Sequence, residues 1–143
     1  HHHDLRRTRS AMHNVVPVDT GLAKGVERIL PALAGKLTAT AMRVPTINVS
    51  AIELCVYVTK TTDREAVNRV LRERAELDGL SVVNYTEEPL ASCDFIHDPH
   101  SSIIDGSQTC VSGGHLIKVL TWFDNEWAYA NRMLDLANYW LAK

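Results

Sequence analysis

No stretch of this 143-residue chain approaches the ~18 consecutive apolar residues of a membrane span. Dinucleotide and phosphate fingerprints are missing as well. The close glycine pairs, Gly21-x-x-x-Gly25 and Gly113-Gly114, do not have G-x-G-x-x-G spacing, and there is no Walker A loop, H-E-x-x-H or G-x-S-x-G. These absences remove a Rossmann-type cofactor domain, a P-loop, a zincin site and a nucleophile elbow from the readings of these residues. Cysteine is scarce: Cys55, Cys93 and Cys110 are odd in number, widely spaced and free of any C-x-x-C. That excludes a disulfide framework and fits a reducing compartment, so a cytoplasmic location is expected. Charge of one sign is also lacking. A formal net charge of -2 gives no bulk attraction to nucleic acid or to an acidic membrane. No signal-peptide pattern opens the chain. His1-His2-His3 reads as a tag remnant and is set aside from fold and site reasoning.

Hydrophobic residues at 45% and charged residues at 22% are ordinary for a globular domain, and the length suits one domain able to bury a core. Residues 4–18 lack periodicity and read as an extended loop. Thr20 is the expected N-cap of a short helix running to about Leu30, with Leu22, Val26, Ile29 and Leu30 on one face; Pro31 and Gly35 punctuate its exit. Residues 37–44 read as a strand. Residues 48–59 alternate clearly, with Ile52, Leu54, Val56 and Val58 on one side and Glu53, Cys55 and Tyr57 on the other. Thr62-x-x-Glu65 is a capping-box pattern opening a helix to about Leu77, which Asp78-Gly79 stops. Short strands are predicted near 81–85, 101–105 and 108–112, a hairpin turn at Gly113-Gly114, and a strand at 115–123. A last helix spans about Asn125 to Ala142, its stripe formed by Ala130, Leu134, Ala137 and Leu141 and widened by Trp127, Met133 and Trp140. The sum is an α+β domain: a mostly antiparallel or mixed sheet with helices packed on one face.

Several residues carry chemistry in their type and place. Thr20 and Gly21 at a helix start offer a hydroxyl and unpaired N–H groups, a phosphate corner or simply a cap. Arg43, at a strand end before Pro45, can fork onto phosphate or carboxylate, or stand on the surface. Arg7 and Arg9, alternating in an extended segment, would face the same side, and together these groups would make a phosphate cradle if the fold brings them together. Asn125 at the start of the last helix is either a cap, a role open to Asp124 too, or a free amide able to pair with another amide, donor to acceptor. Cys93 and His97 invite a thiol–base dyad, which Asp98-Pro99 and strand-like flanks argue against. Cys93-x-x-x-His97-x-x-His100 supplies three ligands where a structural zinc site takes four. Cys55 and Cys110 read as packing residues.

Six segments in order carry a resemblance. They are Asp4-Leu5-Arg6-Arg7-Thr8-Arg9, Pro17-Val18-Asp19-Thr20-Gly21, Arg43-Val44-Pro45-Thr46, Tyr85-Thr86-Glu87-Glu88-Pro89-Leu90, Asp98-Pro99-His100-Ser101-Ser102 and Trp122-Phe123-Asp124-Asn125-Glu126-Trp127. Over residues 4–143 the chain resembles the C-terminal catalytic domain of the glyceraldehyde-3-phosphate dehydrogenase family, truncated at its start. Val18-Asp19, Ile47 and His97-Asp98-Pro99-His100 are most similar to its D-erythrose-4-phosphate dehydrogenase branch. The resemblance implies a cytoplasmic, homotetrameric, NAD-dependent aldehyde dehydrogenase in which a cysteine thiolate attacks the aldehyde. The erythrose branch yields 4-phosphoerythronate for pyridoxal phosphate synthesis. The glycolytic branch, or a non-catalytic assembly module, is the alternative. Carried over by motif, Arg7, Thr20 and Gly21 line one anion pocket, Arg43 lines the other, and Asn125 holds the nicotinamide amide. The family's S-C-T-T-N nucleophile and its catalytic histidine match nothing in these residues, and neither does its NAD-binding domain. The polypeptide by itself is therefore expected to be inactive.

Overall fold

The structure, a computed structural model, describes residues 4–10, 12–77 and 82–142. The expected helix stop at Asp78-Gly79 lies outside the described residues. The chain divides between Ile47 and Asn48 into two compact units.

The first unit is held by local hydrogen bonds and one small sheet. The predicted extended loop at its start is instead a 3-10 turn at Leu5–Thr8. Asp4 causes it. Its carboxylate caps Arg6 N at 3.1 Å and takes the Arg6 guanidinium at 3.0 Å, while Thr8 Oγ1 donates back to Leu5 O at 2.7 Å. Strand β1, Val16–Val18, then pairs antiparallel with β2, Ala41–Arg43, setting Val16 opposite Arg43 and Val18 opposite Ala41. The strand predicted over 37–44 shortens to three residues because its partner offers only three. Between them lies helix α1, Leu22–Ile29. Its N-cap is Gly21, one residue later than predicted; Thr20 Oγ1 still accepts from Leu22 N at 3.2 Å. Leu30 N–H closes the helix on Val26 O, and Pro31, which has no N–H to donate, opens a 3-10 turn.

The second unit is a four-stranded mixed sheet. Its strands are β3 (Ser50–Tyr57), β4 (Val83–Thr86), β5 (Ser102–Ser112) and β6 (Leu116–Phe123), in spatial order β3-β6-β5-β4. β6 runs antiparallel to β3 and β5, and β4 runs parallel to β5. The two strands predicted at 101–105 and 108–112 are one strand with a register shift between Asp105 and Cys110. Gly113 and Gly114, at φ 58° and 72°, turn β5 into β6 as the Gly-Gly signal requires.

Helix α2, Arg64–Glu76, packs on β4 and β5. Asp63, not Thr62, caps it, accepting from Ala66 N at 2.8 Å. Its carboxylate reaches the third helical N–H, which leaves no role for the predicted Thr62–Glu65 capping box. Val49, Phe95 and Ile103 form the core with Leu90 and Trp122 against them, and Phe95 stacks on Trp122 at 5.5 Å. Helix α3, Asn125–Leu141, closes the chain. Its predicted apolar stripe does not face a core: Met133, Leu134, Trp140 and Leu141 are exposed, and Ala128 is the buried residue of α3 among the described residues. β3 behaves alike. As an edge strand it leaves Leu54, Val56 and Tyr57 exposed despite their alternation. The fold class is nonetheless the expected one, α+β with a mixed sheet.

Candidate functional site

Arg7, Thr20, Gly21 and Arg43 all belong to the first unit. Arg7 lies in the 3-10 turn, not in the extended segment that would have aligned it with Arg9; its side chain lies outside the described residues. Thr20 and Gly21 are exposed at the start of α1, where helical N–H groups point outward and the dipole favours negative charge. Thr20 Oγ1 spends one lone pair on Leu22 N and keeps its own O–H to donate. Arg43 is exposed at the end of β2, opposite Val16, whereas the chain leaves this ladder toward Thr20 from its other end, at Val18. Its guanidinium makes no hydrogen bond or ion pair among the described residues, so its donors are open to an anion.

Asn125 stands in the second unit at the first position of α3. The cap is its neighbour Asp124, which is 1% exposed. Three donors converge on that carboxylate: Asn48 Nδ2 at 2.8 Å and His97 N at 2.9 Å on Oδ2, and Trp127 N at 3.3 Å on Oδ1. They hold its ionisation below the ordinary carboxyl range, the His97 N–H most strongly, against burial, which acts the other way. His97 reaches it with a left-handed backbone, φ 62°, and lays its ring on Trp127 at 4.5 Å between centroids. Val49, beside Asn48, is also left-handed at φ 71°, a conformation that costs a β-branched residue about 1–2 kcal/mol. The helix start is thus pinned from two distant segments. With Asp124 serving as the cap, the exposed amide of Asn125 is engaged by no group among the described residues. A free donor–acceptor pair of this kind fits a carboxamide such as that of nicotinamide.

The cysteine and histidine readings do not assemble. Cys93 sits in the 3-10 turn Ser92–Phe95 with its thiol exposed, His97 is committed to Trp127, and His100 Nδ1 lies 2.6 Å from Asp98 Oδ1. Among the described residues, no three His, Cys, Asp or Glu side chains are grouped to hold a metal ion. Cys55 and Cys110, expected to pack, are exposed, each opposite Lys118 on either side of β6.

The residues that sequence reasoning missed are Asn48 and His97 as anchors of Asp124. Local sequence holds no sign of them, since the hydrogen bonds bridge segments far apart in the chain. Residues 1–125 match the family described as glyceraldehyde 3-phosphate dehydrogenase, C-terminal domain. That description is one of oxidoreductases of the dehydrogenase type. The chain is a member of the glyceraldehyde 3-phosphate dehydrogenase C-terminal domain family. Among the described residues, no helix is long and apolar enough to cross a membrane.

Proposed function

We propose that this chain supplies the substrate-binding and part of the cofactor-binding surface of an NAD-dependent dehydrogenase of phosphorylated aldehydes. In this reading the substrate is D-erythrose 4-phosphate, oxidised to 4-phosphoerythronate, and the enzyme is a cytoplasmic homotetramer serving pyridoxal phosphate synthesis. The observation that carries the reading is the unengaged amide of Asn125 at a helix start locked by Asp124. Glyceraldehyde 3-phosphate is the second substrate reading, favoured by the family's own description.

Bound NAD would supply the hydride acceptor. The roles of the chain's own groups follow from their chemistry. Asn125 donates to and accepts from the carboxamide and so fixes which face of the ring meets substrate. Arg43 takes one phosphate through its guanidinium fork. Thr20 O–H and the N–H groups at the start of α1 take a second anion, with Arg7 assigned to the same pocket by motif. The nucleophile and the general base lie outside these 143 residues in this reading. The exposed apolar residues of α3 and β3 are surfaces that a larger assembly would cover.

The test joins this chain to a family nucleophile segment and cofactor domain and compares the two aldehydes. Erythrose 4-phosphate is expected to have the higher kcat/KM, and Asn125→Leu to raise the KM for NAD about 10–100-fold, the loss of one or two hydrogen bonds. The 143-residue polypeptide alone is expected to show no turnover. A preference for glyceraldehyde 3-phosphate moves the protein to the glycolytic branch. Turnover by the lone polypeptide overturns the assignment of the nucleophile.

A further inference from the structure

Lys118 stands in a cross-strand row between two thiols. It is paired with Cys55 of β3 on one side of β6 and with Cys110 of β5 on the other. Residues directly opposite one another in a ladder project from the same face, with Cβ atoms about 4.5–5.5 Å apart. All three side chains therefore rise from one face of the sheet, and both cysteines are exposed. The lysine already leans over β3. Its Nζ lies 3.5 Å from Oε1 of Glu53, which shares that face two residues before Cys55. Both members of this ion pair are half-exposed. Leu54 and Val56 alternate with Cys55 and point the other way, and Tyr57 is occupied by a stack on His115.

We propose that this row is an acylation site, in which a cysteine takes an acyl group from a small acyl thioester and hands it to Lys118. In the first step the thiolate of Cys55 or Cys110 attacks the thioester carbonyl. A new thioester forms on the cysteine, and the carrier thiol leaves with the cysteine's proton. In the second step the uncharged Lys118 amine attacks the cysteine-bound carbonyl. A C–N bond forms, the C–S bond breaks, and a proton of the amine goes to the departing cysteine sulfur, which is regenerated. Nothing is oxidised or reduced. The thiolate is the better nucleophile towards the donor, and the amide is the more stable product, so the group moves from sulfur to nitrogen. The flexible four-carbon stem lets Nζ swing from Glu53 to either neighbour. Holding the thioester beside the amine replaces a bimolecular encounter by one within the row. Acylation removes the charge of Lys118 and with it the cation that Glu53 pairs with. None of the residues used in the proposed function takes part, so the two ideas fail separately.

The test incubates the full chain with acetyl-coenzyme A and follows each lysine by peptide mass spectrometry. Lys24 and Lys36 are the internal references, because both are exposed and the first unit contains no cysteine. Lys118 is expected to gain acetyl about tenfold or more faster than either. A double variant, Cys55→Ser with Cys110→Ser, should bring it down to their rate. Both positions are exposed, and an unchanged circular dichroism spectrum checks that the fold is kept. Early samples should carry a hydroxylamine-labile acetyl on cysteine that fades as Lys118 fills. In Lys118→Arg, which keeps a cation for Glu53, the cysteine-bound acetyl should last several-fold longer once the donor is removed. A Lys118 rate no higher than that of Lys24 and Lys36, an unchanged rate in the double variant, or a cysteine-bound acetyl that fades equally fast in Lys118→Arg each overturns the proposal.

Discussion

Asn48 and Asp124 are joined by a 2.8 Å hydrogen bond across most of the second unit's sequence. Asn48 opens that unit and Asp124 ends its sheet, so this one contact ties the first residue of the unit to the start of its last helix. Replacing Asp124 by Ala would remove one acceptor from the Asn48 amide and the acceptor of the His97 and Trp127 N–H groups. A loss of about 2–4 kcal/mol is expected in urea unfolding, the sum of a missing cap and orphaned donors. Asp124→Asn keeps an acceptor at the cap and should cost less than half as much.

Acid should reveal the same carboxylate. Its folded ionisation lies below the ordinary range because three donors favour the charged form. Below the unfolded-state value, near 3.9, the unfolded chain takes up a proton before the folded one does. The stabilisation from Asp124 is thus complete above about pH 4 to 5 and drains away as the pH falls through the lower folded value. Urea midpoints measured from pH 6 down to pH 2.5 should fall more steeply for the unaltered chain than for Asp124→Asn. Parallel curves would remove Asp124 from the acid response.

Gly106 is the tightest glycine of the sheet. A Cβ there would run into the hydroxyl and ring of Tyr85. Gly106→Ala should therefore displace Tyr85 from Glu87 and from beneath Arg72, which lies 4.9 Å from its ring centroid. The expected cost is about 1–3 kcal/mol, as for an overpacked core. Near-ultraviolet circular dichroism should report the moved tyrosine, with the far-ultraviolet spectrum unchanged.

What the residues disclosed beforehand follows the range of the forces involved. The hairpin at Gly113-Gly114, the alternation of β3 and the limits of α2 and α3 depend on neighbours in sequence, and all were legible. Caps were legible in kind but off by one residue: Gly21 for Thr20, and Asp63 for Thr62. At α2 adjacent Thr62 and Asp63 both offer an oxygen to the first-turn N–H groups and Asp63 takes one; at α1 Gly21 has no side chain, and Thr20 still accepts from Leu22 N from one residue further out. The opening 3-10 turn is not legible, because Asp4 and Thr8 bind their own backbone, which periodicity does not register. The stripe of α3 is legible as apolar, but a pattern of spacing cannot say what will cover it. Asn125 was singled out by motif, while the anchors that position it, Asn48 and His97, were invisible for want of any local signature.

Among the described residues strand β3 has a single neighbour, β6, with Ser50 opposite Phe123. A ribosome therefore releases β3 long before it makes the segment that β3 must zip onto. Throughout that interval an alternating apolar strand has no native partner, and the sheet cannot begin to close from this side until synthesis has passed Leu116. Chaperone demand for this unit should accordingly be set by the order in which its strands are born, more than by the final strength of their pairing.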